Sequence, residues 1–198
     1  KKENYFLVRT DKKEKYICNK IYFTVPAYSL AIIKFIGLKL PNFNNVRYNP
    51  IDVIHLGFKR KNANDKISGF GLLTRKVDNK NFLGVLFNSE IFPNVCSKKN
   101  HLITVLLGGD DQKDIVNFNE KEILDNIKNE MKSIFNIKSF DFQKHYRWRK
   151  GIPSYSLDHG KLIKEIKDFN KKEPNLFFLG NYIDGVSVAD CILKSYNC

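Results

Sequence analysis

A mixed chain, α+β or α/β in class, is what the sequence predicts, and three observations predict it. Short β-rich runs separated by Asn, Asp, Lys and Gly recur from residue 51 to 109. Two amphipathic patterns of helical period follow, at 119–135 and 159–170, and the chain then returns to an apolar strand, "LFFLG", that leads into a small-residue helix. With 198 residues, 42% of them hydrophobic and 13% aromatic, there is apolar material for one sizeable core or two small ones.

Taken in order, residues 5–9 and 15–25 have strand composition and are joined by the polar turn "DKKE"; Pro26 closes the second. The spacing of Leu30, Ile33 and Ile36 predicts a helix over 28–38, stopped by Gly37 and Pro41. A polar connection, "PNFNNVRYNP", leads into "DVIHLGFKR", "GFGLLTR", "NFLGVLFNS" and "HLITVLLGG", a sheet of at least four strands. Ile123, Leu124, Ile127, Met131, Ile134 and Phe135 recur with helical period between Glu and Lys, so 119–135 should cover one face of that sheet. A strand-like "SFDFQKHYRW" comes next. A helix over 159–170 follows, with Leu162, Ile163, Ile166 and Phe169 on one side. No internal repeat or low-complexity block interrupts the pattern.

The first residue is Lys1 and a strand begins almost at once, so the sequence is expected to start inside a domain, as a piece of a longer chain. The longest apolar run, "YSLAIIKFIGL", is broken by Lys34 and falls short of the roughly 20 residues a membrane-crossing helix requires. Cys18, Cys96, Cys191 and Cys198 are widely and irregularly spaced, which indicates neither a zinc site nor a disulfide framework, and a reducing compartment is expected. A formal net charge of +13 admits an anionic partner, whether nucleic acid, lipid headgroups or an acidic substrate; the lysines are nonetheless scattered, as on a solvated face.

Several motifs carry no chemistry of their own. "GFGLLT" is a near miss for the dinucleotide fingerprint G-x-G-x-x-G, but a polar turn precedes it and a strand follows, the wrong context for a phosphate-binding helix start. Its glycines fit better where something large lies close to a strand. His55, His101, His145 and His159 lack metal-ligand spacing, so no metal is expected. No nucleophile elbow is present, and no catalytic residue can be named. "KHYRWRKG" at 144–151 mixes rings and cations as single-strand nucleic-acid platforms do, although a strand end with snorkelling cations has the same composition. In the closing stretch, "NLFFLGNYIDGVSVADCI", Gly180 permits close backbone approach and Gly185 to Val188 form the first turn of a helix with free N–H groups, an arrangement that favours negative charge.

"LGNYIDGVSVADCI" resembles the carboxyl-terminal flavin-contacting segment of the protoporphyrinogen oxidase family. "FTVPAYSL", "GFGLLTR" with "LGVLFNSEIFP", "TVLLGG" and "WRKGIPSYSLDHG" resemble further segments of that family in the same order, the last being similar to W-x-x-A-I-P-Q-Y-x-x-G-H. The resemblance covers about residues 5–195. It departs from the family at Ser154 for Gln, Gly151 for Ala and the acidic pair Asp110 and Asp111.

The resemblance implies the carboxyl-terminal part of a FAD-binding domain plus a mixed-sheet substrate-binding domain covered by helices. Residues 1–42 and 172–198 would belong to the FAD-binding domain, 43–158 to the substrate-binding domain, and 159–171 to a linking helix. It implies FAD as cofactor, with Asn181 near the ribityl chain and the N–H groups of Val186, Ser187 and Val188 stabilising charge on the reduced ring. Phe70, Gly71, Leu73, Leu86 and Leu106 would line an apolar slot for protoporphyrinogen IX, oxidised there to protoporphyrin IX in haem biosynthesis. Gly71 would let the macrocycle approach the backbone and Phe70 would stack on a pyrrole ring. The resemblance also implies that the family's propionate-pairing arginine would lie upstream, with neither Arg75 nor Arg147 replacing it.

Implied partners are an amino-terminal Rossmann half, a membrane surface and a second copy in a homodimer; nucleic acid is not expected. The compartment implied is the mitochondrial inner membrane, peripherally, in a eukaryote, and otherwise the cytoplasmic membrane face. The alternatives are a sister flavoenzyme, such as an amine oxidase or a desaturase, and a non-enzymatic basic module that binds nucleic acid or an anionic membrane.

Overall fold

The computed structural model describes residues 5–63, 67–183 and 185–196. The chain divides into two compact units, one of Lys1–Tyr48 with Pro153–Cys198 and the other of Asn49–Ile152.

The first unit opens with an antiparallel hairpin of β1 (Phe6–Arg9) and β2 (Lys15–Cys18). The single strand expected over 15–25 is broken at Asn19 and Lys20. Its second part, β3 (Ile21–Phe23), pairs in parallel with β9 (Leu176–Phe178). The helix expected over 28–38 is confined to α1 (Ala27–Leu30). Beyond it, Ile32 and Ile36 are 83% and 75% exposed, and Gly37 takes a φ of +77°. The β-branched run Ile32-Ile33 has low helix propensity and this segment buries no continuous apolar stripe, so helical spacing alone does not sustain a helix here.

The core of this unit gathers around Phe178, whose ring lies 4.8 to 5.6 Å from those of Phe43, Phe169 and Phe23. Leu162, Ile166 and Phe169 on α4 (His159–Lys172) bury the stripe that the sequence predicts. At the end of the chain stands α5 (Val188–Tyr196).

The second unit is a five-stranded sheet in the order β5 (Gly71–Leu73), β6 (Gly84–Leu86), β7 (Asn100–Gly108), β4 (Arg47–Lys59), β8 (Phe142–Ser154); β4 and β8 each run a short way into the first unit's residues. One face of the sheet carries Ile54, Leu56 and Phe58 from β4, Ile103, Val105 and Leu107 from β7, and Val85 from β6. Onto it pack Ile123, Ile127, Met131 and Phe135 of α3 (Glu120–Phe135). Each such side chain contributes about 1.5 to 3 kcal/mol when fully buried, so this layer is the main stabilising element of the unit.

The helix starts where Asn119 accepts a hydrogen bond from the Lys121 N–H at 2.9 Å, with Glu120 and Glu122 in its first turn, and ends at Asn136 in the left-handed conformation. The strand expected over 139–148 continues to Ser154 in β8. Among the described residues no helix is long and apolar enough to cross a membrane, and no three His, Cys, Asp or Glu side chains gather as a metal site.

Candidate functional site

Antiparallel register decides which side chains of the second unit share a face, because directly opposed residues point the same way and their neighbours the other. Leu73, Gly84, Leu106 and Val53 lie opposite one another across β5, β6, β7 and β4. Gly71, Leu86, Thr104 and His55 form the next parallel row. Between them runs the row of Leu72, Val85, Val105 and Ile54, which packs against α3. Leu73, Leu86 and Leu106 are thus brought onto one face with Gly71, and that face is the one turned away from α3. Leu73 is 86% exposed, and Phe70, just before β5, is 71% exposed.

Gly71 has a different reason to be glycine from the one expected. Its φ is +155°, and a Cβ there would run into the carbonyl oxygen of Val85 on the paired strand. Strand pairing alone therefore demands it, whatever lies above. Gly151, where the resemblance expects alanine, is also locally explained: a Cβ would sit 3.2 Å from Cβ and Cγ1 of Ile51.

The polar groups of the sheet are sorted by face. Asp52, fully buried, stands on the α3 side and accepts from Nε and Nη2 of Arg147 at 3.0 and 2.8 Å and from Nε2 of His145 at 2.9 Å. Arg147 also donates through Nη1 to the Phe118 carbonyl at 3.0 Å, and Asp52 holds its guanidinium above its ordinary pKa. Two residues of "KHYRWRKG", His145 and Arg147, are thereby committed to a buried ion cluster. Arg75 is paired instead with Asp78 at 2.9 Å. On the opposite face, His55 Nδ1 lies 2.8 Å from Thr104 Oγ1, which donates to Asn88 Oδ1 at 2.6 Å.

In the first unit, the segment carrying Asn181 and Val186 to Val188 is shaped by two side chains from the "IPSYSLDHG" motif. The Tyr155 hydroxyl donates to the Asn181 carbonyl at 2.6 Å and accepts from the Gly185 N–H at 2.9 Å, closing the turn between them. His159, the first residue of α4, donates from Nε2 to the Ile183 carbonyl at 2.9 Å. The two rings stack, with centroids 4.2 Å apart and planes 13° from parallel. Neither residue stood out as a site residue in the sequence, although their i, i+4 spacing at a helix start was a usable signal.

The helix itself starts later than expected. Gly185 to Ser187 precede it, and Val188 is its first residue. Ser187 and Asp190 cap one another: Ser187 donates from its N–H and its hydroxyl to Asp190 Oδ2 at 3.3 and 2.6 Å, and the Asp190 N–H donates to Ser187 Oγ at 3.0 Å. The Ser187 N–H is therefore not free, which corrects the expectation of three unpaired donors. Among the described residues no acceptor takes the N–H of Val186 or Val188. An exposed turn that offers these two donors at a helix start fits the electron-rich edge of a reduced flavin.

Flavin containing amine oxidoreductases match this sequence over residues 3–198, and the chain belongs to that family. It is 31% identical to protoporphyrinogen oxidase of Dictyostelium discoideum, over 95% of this chain and 41% of that protein. It is 26% identical to the mitochondrial protoporphyrinogen oxidase of Nicotiana tabacum, over 77% of this chain and 31% of that one. A crystal structure from an Exiguobacterium species, provisionally named a protoporphyrinogen oxidase, superposes on all of this chain and 43% of that one, with a TM-score of 0.79 at 12% identity, a likeness of fold. The chain thus spans less than half the length of these proteins.

Proposed function

We propose that this chain is the carboxyl-terminal part of a FAD-dependent enzyme that oxidises protoporphyrinogen IX to protoporphyrin IX, and that it works with an amino-terminal Rossmann half. What carries the reading is the sheet face on which Leu73, Leu86 and Leu106 stand together, away from α3. A flat tetrapyrrole with apolar edges requires such a surface. The unit of Asn49–Ile152 supplies it, and Phe70 at its edge offers an exposed ring for stacking.

The 180–188 turn serves the flavin. Val186 and Val188 would offer their N–H groups to the isoalloxazine and Asn181 would bond the ribityl chain, on a turn that Tyr155 and His159 hold in shape. The flavin, when bound, supplies the two-electron oxidation, and oxygen or another acceptor reoxidises it. The enzyme associates peripherally with a membrane, the mitochondrial inner membrane in a eukaryote, and pairs as a homodimer.

The FAD-loaded, full-length enzyme tests this directly. Leu106→Glu is expected to lower protoporphyrinogen turnover more than tenfold while leaving the flavin spectrum intact, because a charge placed on an apolar slot must be desolvated when the ligand enters. Turnover of amines instead of protoporphyrinogen by the parent enzyme would overturn the proposal.

A further inference from the structure

We infer that His55 is the proton acceptor for a ring N–H of the ligand held on the exposed sheet face, an inference that rests on the reading of that face as the tetrapyrrole site. The hydrogen-bond chain fixes its tautomer. A hydroxyl carries one proton, and an amide oxygen only accepts, so the Thr104 proton is committed to Asn88 Oδ1 at 2.6 Å. Thr104 Oγ1 must then accept the bond that links it to His55 at 2.8 Å, which places the imidazole proton on Nδ1. Nε2 is left with its lone pair. Thr104 is only 4% exposed and cannot turn away to water to reverse the arrangement.

The surroundings make that lone pair distinctive. His55 shares its row with Gly71 and Leu86, the adjacent row on its face carries Leu106 and Val53, and the Tyr146 ring meets it edge-on at 6.0 Å. Among the described residues nothing bonds to Nε2. Burial also pushes the imidazole pKa down, so the ring is neutral near pH 7. An unpartnered acceptor set among Gly71, Leu86, Leu106 and Val53 matches a reduced tetrapyrrole, whose N–H groups sit at the centre of an apolar disc.

The step balances with the oxidant that the proposed function already names. The bound flavin would take a carbon-bound hydrogen with its electron pair, the ring nitrogen conjugated to that carbon would lose its N–H proton, and His55 Nε2 would take that proton. The imidazole becomes an imidazolium with both nitrogens protonated, Thr104 still accepts from Nδ1–H, and the proton is later released to water.

The FAD-loaded, full-length enzyme carrying His55→Gln or His55→Phe separates holding the N–H from taking its proton. Glutamine retains an acceptor oxygen but has no basic nitrogen; phenylalanine retains the ring and has neither. H55Q is expected to bind protoporphyrin IX within about twofold of the parent, by fluorescence quenching, and to lose about 100-fold in kcat with KM little changed. H55F is expected to lose that and about tenfold in binding as well. In nitrogen-15 spectra of the parent, His55 should show an unprotonated Nε2 whose resonance moves when protoporphyrin IX is added. Parent-like kcat in both variants, losses confined to KM, or a protonated Nε2 would overturn the inference. Leu106→Glu tells the two failures apart: if it abolishes porphyrin binding while the His55 variants turn over normally, only the role of His55 falls; if it binds porphyrin like the parent, the reading of the face fails and the inference with it.

Discussion

The sheet face of the 49–152 unit and the 180–188 turn of the other unit are built by opposite means. On the sheet, the ladder fixes every position at once: Leu73, Leu86 and Leu106 share a face because Leu72, Val85 and Val105, one residue away, are held against α3. In the turn, three polar contacts from two side chains and one capping pair hold the backbone, and Val186, Ser187 and Val188 are exposed. A platform secured by core packing should resist perturbation of any surface residue and fail when its buried charges are unbalanced. A turn secured by hydrogen bonds should weaken by small steps and show it first in cofactor binding.

The largest effect should come from Asp52. Removing the carboxylate leaves the Arg147 guanidinium, whose side chain is 8% exposed, with Glu120 at 3.9 Å in place of a bonded carboxylate, and takes from His145, 7% exposed, its partner at 2.9 Å. Breaking a buried ion pair from one side destabilises by about 3 to 5 kcal/mol, so Asp52→Ala should lower unfolding free energy in urea by about that amount. The combined replacement of Asp52, His145 and Arg147 by apolar residues should recover most of it. Equal loss in the single and combined variants would show that the cluster does not act as a unit.

Next in size is Gly71→Ala, at about 3 kcal/mol, since the methyl would meet a backbone carbonyl that only a shift of β6 could relieve. Gly69→Ala is the control. Its φ is +85°, yet no atom of the described residues lies within 4 Å of the added Cβ, so it should lose only about 1 kcal/mol. If the two variants melt together, the register of β5 against β6 is not what the glycine protects.

The same contrast governs what was legible in the sequence. The helices at 120–135 and 159–172 bury the very stripes their spacing marked, because core contact and period agree there. Between residues 31 and 37 the period is present without a partner surface, and no helix forms. Asp52 carries a signal in the sequence: a lone acid in "NPIDVIHL", on the parity of Ile54 and Leu56, must be paired if it is buried. His55 lies on the other parity, next to Ile54, so alternation alone separates a core position from a face position. The capping of Ser187 by Asp190 was likewise present in the letters as a Ser three residues before an acid. The Tyr155 and His159 bonds to the turn were not, since they join residues 24 to 30 positions apart through a turn whose shape no local pattern sets.

The turn itself is sharpened by Tyr155→Phe, which removes one donor and one acceptor while keeping the stack on His159. The residue is 42% exposed, so water takes over part of both bonds and the loss of stability should stay near 1 kcal/mol. FAD affinity of the full-length enzyme should fall by a larger factor than global stability implies, because the lost order is local to the 181–185 backbone. A parent-like FAD affinity would show that the turn keeps its shape without the hydroxyl.

The smallest effect distinguishes the units by pH. His55 and His101 both belong to the sheet unit, and burial lowers the pKa of each from its ordinary 6.5; nearby Arg60 lowers that of His101 further, and Glu90 only partly opposes this. A base with a lowered pKa in the folded state is neutral there while the unfolded chain already binds the proton. Stability is therefore whole above about pH 6.5 and declines as pH falls from that value through the lowered folded one. With solvent screening allowed for, the decline should stay below about 1 kcal/mol. His101→Gln should flatten the slope of unfolding free energy between pH 7.5 and 5.5, whereas Tyr155→Phe should leave it unchanged. An equal flattening by both would mean that the acid response does not reside in the sheet.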